Sequence, residues 1–205
     1  MSNTSLEEYP SSEEIANATL NDVSVLDKVV EAISGDNRRM RQRCAGALAE
    51  ISRSQPELLI PYAHDLADAL HRPEARTRWE CLDALTNIVP VDARACDRGF
   101  SGAEASLFDE ESNLARLSAF RFLAAYGATT ENRASRVWPL LDEAIQCYHG
   151  DPEYPEMLAS IVRFAQGKAS REVKDQLVSR LSFDAENGHG LLGRRSKEAV
   201  EAAQA

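Results

Sequence analysis

One run of twelve residues constrains this chain more than any other. Met40-Arg41-Gln42-Arg43-Cys44-Ala45-Gly46-Ala47-Leu48-Ala49-Glu50-Ile51 returns, displaced by 37 positions, as Thr77-Arg78-Trp79-Glu80-Cys81-Leu82-Asp83-Ala84-Leu85-Thr86-Asn87-Ile88. A third copy, displaced by a further 38, reads Ala115-Arg116-Leu117-Ser118-Ala119-Phe120-Arg121-Phe122-Leu123-Ala124-Ala125-Tyr126. Arg, a small residue, Leu and a large apolar residue keep their slots. A fixed period of this length marks one helix pair that cannot cover its own apolar stripe, so successive pairs must stack to share a core.

The segments ahead of these runs follow the same rule. Leu26, Val29, Val30 and Ile33 have helical spacing and fall opposite Ala63, Leu66, Ala67 and Leu70. In the third pair, displacement by 38 places Ser101, Glu104, Ala105 and Phe108 there, of which two are apolar, and the Ser101-x-x-Glu104 box predicts a fresh helix start. A fourth pair is predicted over 134–166 and a degraded fifth over 171–204, following repeats at 23–53, 58–89 and 100–127. Residues 23–205 thus form the repeat domain. Residues 1–22 read as an acidic tail, with a short helix opening at the Ser11-x-x-Glu14 box. No segment shows period-two strand patterning.

The run Asp36-x-x-x-Met40-Arg41-x-x-Cys44-Ala45-x-Ala47-Leu48-x-x-Ile51 resembles the second helix of a HEAT repeat, with an acid in the turn, a base five residues on and small residues before Leu. The second copy departs from that pattern by carrying Pro73 in the acid's slot, and the third has Glu111. The resemblance implies an all-α fold, an armadillo-like α-solenoid of about four to five stacked antiparallel helix pairs, with second helices lining a concave side.

Charge and composition narrow the function classes. The 205 residues carry 43% hydrophobic side chains and a net charge of −10, which disfavours a polyanionic partner unless one face concentrates basic residues. Half of that charge lies in Glu7, Glu8, Glu13, Glu14 and Asp22, with no Lys or Arg before residue 28. No apolar stretch approaches the roughly 20 residues of a membrane span, and no signal segment precedes the domain, so a cytoplasmic location is expected. Cys44, Cys81, Cys96 and Cys147 are dispersed and predict free thiols. His64, His71, His149 and His189 show no zinc spacing, and Gly99-Phe100-Ser101-Gly102 lacks the Lys of a phosphate loop, so neither metal nor cofactor is expected. Asp109-Glu110-Glu111-Ser112 suits helix capping.

Arg41, Arg78 and Arg116 recur with the repeat and are expected to fix stacking through turn carboxylates or carbonyls, while Leu48, Leu85 and Leu123 fill the space between layers. Projection away from the core places Arg39, Arg43, Arg76 and Arg121 on the concave side as the partner-binding set, joined by Trp79 and Leu117 as an apolar anchor pair. Trp138, beside Pro139, is expected to pack in the core. The reading is a non-enzymatic scaffold for a protein or acidic peptide, with the chain's own acidic N-terminus as one occupant of the groove. The alternative is a HEAT-like nucleic-acid protein of the alkylpurine glycosylase type, which the charge disfavours. A hydroxylase would need His-Glu pairs that the sequence lacks, and a bilin-lyase-like role has no motif.

Overall fold

The computed structural model describes residues 5–205; the part of the acidic tail expected at 1–4 lies outside them. Among the described residues there are eleven α-helices and no strand: α1 (Ser12–Asn21), α2 (Leu26–Ser34), α3 (Arg38–Ser54), α4 (Ala63–Ala69), α5 (Ala75–Asp92), α6 (Gly99–Leu107), α7 (Asn113–Gly127), α8 (Glu131–Cys147), α9 (Tyr154–Gln166), α10 (Arg171–Asn187) and α11 (Gly190–Gln204). The chain divides into two compact units, residues 1–106 and 107–205.

In the first unit, α3 packs on α5 along one side and on α1 along the other, while α2 and α4 form the second layer. The cores follow the periodic positions. Leu26, Val29, Ile33, Cys44, Ala47, Leu48 and Ile51 are buried, as are Leu66, Cys81, Ala84, Leu85 and Ile88. Helix α1 belongs to this core: Ser11 caps it by accepting from the Glu14 N–H at 3.2 Å, and Ile15 is fully buried. A short 3-10 stretch with Pro56 at its start, Pro56–Tyr62, leads into α4.

Helix α6 corrects the expected register. It begins at Gly99, so Ser101 lies inside the helix and does not cap it. Its buried stripe is Phe100, Ala103 and Leu107, while Ala105 is exposed. These positions stand 37 residues from Ala63, Leu66 and Leu70, so the outer helix keeps the shorter displacement and the extra residue sits in the turn before α7. Gly102 permits the approach, since a Cβ there would fall 2.5 Å from Leu70 Cβ.

In the second unit, α7 packs on α8 and α9, and α11 packs on α9 and α10. Leu123, Val137, Leu141, Leu158, Ile161, Leu177 and Leu181 are fully buried. Trp138 stacks on Phe164 at 6.0 Å between ring centres. Ser112 caps α7 by accepting from the Ala115 N–H, and Asp109 Oδ1 accepts from Glu111 and Ser112, so that acidic turn serves the helix start. Asp142 on α8 receives Arg180 of α10 through two bonds, at 2.5 and 3.0 Å.

Candidate functional site

The recurring arginines point into the turns. Arg41 donates to the carbonyls of Gly35 and Asp36 at 2.8 and 2.9 Å and pairs with Glu74, next to the start of α5. Arg78 reaches the carbonyls of Arg72 and Pro73 at 3.3 and 3.4 Å. Arg116 donates to Asp109 O at 2.9 Å and to Glu153 Oε1 at 2.8 Å, and lies over the Tyr148 ring. Its carbonyl partner is seven residues back instead of five or six, which is the inserted residue of the turn seen again. Burial acts to raise the Glu74 carboxyl, but the hydrogen bonds from Arg41 and its own backbone N–H, with the Arg41 and Arg38 charges, hold it below its ordinary range. The acid that sequence pattern sought at Pro73 is supplied one position later, by Glu74.

The proposed partner-binding residues separate into four situations. Arg39, Arg43 and Arg76 converge with Gln42, Glu7 and Pro10 around a recess of about 470 Å³ on the α3/α5 face. Leu117 is corrected: it is 8% exposed and contributes to the core of the second unit, not to an open anchor pair. Arg121 is paired with Glu156 at 3.3 Å in that same unit. Trp79 is partly exposed, one turn along α5 from Arg76.

Within the recess the arginines differ in what they hold. Arg43 donates to the backbone carbonyl of Tyr9 at 2.7 Å. Arg76 sits 3.5 Å from Glu80, whose carboxyl burial pushes above its usual range, with Arg76 offsetting part of the rise. Arg39 is exposed and makes no hydrogen bond or ion pair among the described residues. Arg38 and Arg39 occupy the first turn of α3, which has no acid, and Arg76 that of α5, whose N-cap is Glu74. Glu7, Pro10 and the Tyr9 carbonyl belong to the acidic N-terminal segment, the occupant of the groove that the sequence offered as one alternative; helix projection could not say which of its atoms would face the arginines.

The same face shows where α1 crosses. A Cβ on Gly46 would lie 2.6 Å from Ser12 Oγ and 3.4 Å from Glu80 Oε1, so glycine at this slot lets the start of α1 sit against α3. Among the described residues, no group of three or more His, Cys, Asp or Glu is arranged to hold a metal ion. Among the described residues, no helix is long and apolar enough to cross a membrane. Burial raises the Cys44 thiol to about 12, and Cys81 is also buried, which leaves neither in the thiolate form a nucleophile requires.

No family model and no curated protein matches this chain. Solved structures do. An engineered protein aligns over 95% of this chain and 86% of its own at 18% identity, with a TM-score of 0.75. A designed armadillo repeat protein in complex with a (KR)4 peptide aligns over 95% and 87% at 15% identity, also with a TM-score of 0.75. Computationally designed armadillo repeat proteins for modular peptide recognition align over 94% and 87% at 17% identity, with a TM-score of 0.73. The fold is an armadillo/HEAT-like α-solenoid. In that armadillo-like frame α3, α5 and α7 are the second helices of successive repeats, and the Arg39 and Arg76 slots are equivalents one repeat apart.

Proposed function

We propose that this protein is a non-enzymatic armadillo-like binding module whose α3/α5 recess takes an extended acidic peptide segment of a protein partner. Arginines set against the helix dipole carry this reading. A helix N-terminus bears a partial positive charge, and acids there stabilise it by roughly 0.3–1 kcal/mol each. Placing Arg38 and Arg39 in the first turn of α3, which holds no acid, has the opposite sign, a local cost that an incoming carboxylate would relieve; Arg76, between the N-cap Glu74 and Glu80, adds a guanidinium one repeat along. Second helices of adjacent repeats lie about 8–10 Å apart. A polyproline-type segment rises about 3.1 Å per residue with three residues per turn, so one of its faces repeats at about 9 Å. Arg39 and Arg76 therefore suit carboxylates three residues apart, with Trp79 beside them as the apolar contact. The designed relative solved with (KR)4 holds a peptide of basic sign; the arginines here call for the opposite one.

The test is fluorescence polarisation of the full chain with a labelled peptide carrying glutamate at every third position. Saturable binding is expected, weakening as salt is added, and the Arg39→Ala/Arg43→Ala/Arg76→Ala variant should lose roughly tenfold or more, about 1.4 kcal/mol, with unchanged circular dichroism. Equal binding by the lysine version of the peptide, or by the triple variant, would reject the reading.

A further inference from the structure

We infer that the segment Ser5–Pro10 is a built-in tenant of the α3/α5 recess, so that a partner must displace it; this rests on the peptide-binding reading above. Three contacts place it there. Arg43 spends its guanidinium on the Tyr9 carbonyl, a main-chain group that any extended peptide offers. Glu7, within the 3-10 turn, and Pro10, beyond the extended Tyr9, both line the recess beside Arg39, Gln42 and Arg76. The segment is itself ordered by local bonds: Ser5 caps the 3-10 turn Leu6–Glu8, with Glu8 Oε1 accepting from the Ser5 N–H at 3.3 Å.

Its anchorage is separate from its contact. Helix α1 follows at once and is fixed by the fully buried Ile15 and Thr19 and by the close crossing at Gly46, so the segment is held beside the recess whether or not it is seated. A tethered ligand of this kind competes at the effective concentration of a short linker, roughly millimolar, with no need for strong contacts. Among the described residues Glu7 and Glu8 make no ion pair with the arginines, so the seating is loose and Arg39 stays available. A partner with carboxylates placed for both Arg39 and Arg76 gains contacts the tenant does not use.

Two measurements on the full chain decide it. Hydrogen exchange should show the Glu8 and Tyr9 amides, which bond to Ser5 O and Leu6 O, exchanging roughly threefold or more faster in the Arg39→Ala/Arg43→Ala/Arg76→Ala variant, while α1 stays protected. Unchanged exchange overturns the tenancy whatever the peptide does. The Glu7→Arg/Glu8→Arg variant should then bind the labelled acidic peptide at least about threefold more tightly than a Glu13→Arg/Glu14→Arg variant, which adds the same charge on α1 outside the recess. Equal affinities overturn the competition and leave the binding reading standing. Binding by neither chain, with exchange accelerated as expected, overturns the binding reading alone and leaves the segment a structural strap.

Discussion

Arg41 is 8% exposed and ties two backbone carbonyls of one turn to the carboxylate at the head of the next second helix. Removing one partner of a buried pair leaves the other desolvated, which costs about 3–5 kcal/mol, whereas an exposed pair is worth about 0–1 kcal/mol. Arg41→Ala should therefore lower the urea midpoint far more than Arg121→Ala, whose partner Glu156 is 60% exposed. The Glu74 carboxyl adds a pH signature. Its folded pKa lies below the unfolded one, so its stabilisation is complete above the unfolded value, near 4.5, and is lost as pH falls through the folded value. Urea titrations from pH 7 to 3 should show this acid loss in the wild type and a flatter profile in Glu74→Gln; identical profiles would remove Glu74 from the account.

At the scale of helices, slots repeated at a fixed displacement made α3, α5 and α7 legible, because small and large side chains must alternate in register wherever layers share a core. Two things were not legible. The extra residue between the second and third copies could be assigned to either side of the turn, and only packing of Phe100, Ala103 and Leu107 assigns it after α6. Leu117 looked like an open-face residue because projection from one helix ignores what neighbouring elements cover. The arginine recess was half legible: the charges on α3 and α5 follow from the wheel, but Tyr9 offers a carbonyl, which every residue has. Gly102 has no side chain for an apolar pattern to count, and is a contact. Gly102→Ala should recover roughly 1 kcal/mol of helix propensity and lose about 1–3 kcal/mol to overpacking, a net destabilisation by thermal melting. Leu70→Ala should not rescue it, since the nearest atom is the Leu70 Cβ itself.

For the molecule as a whole, a net charge of −10 sets the long-range field, and the recess is a local exception within it. The chain should pass through a heparin column at physiological salt, and retention would move the reading toward nucleic acid. The buried pairs also distribute stability unevenly. In the second unit the Arg116–Glu153 bond links α7 to the start of α9, but the residues α11 buries are Gly193, Ser196, Ala199 and Ala203. Small side chains bring a helix close yet remove little apolar surface from water. Those glycines and alanines let α11 settle closely on α9 and α10, so a proteolytic nick or an engineered hinge should be tolerated at the exposed His189–Gly190 link and not at Gly188, whose backbone lies against Gly193.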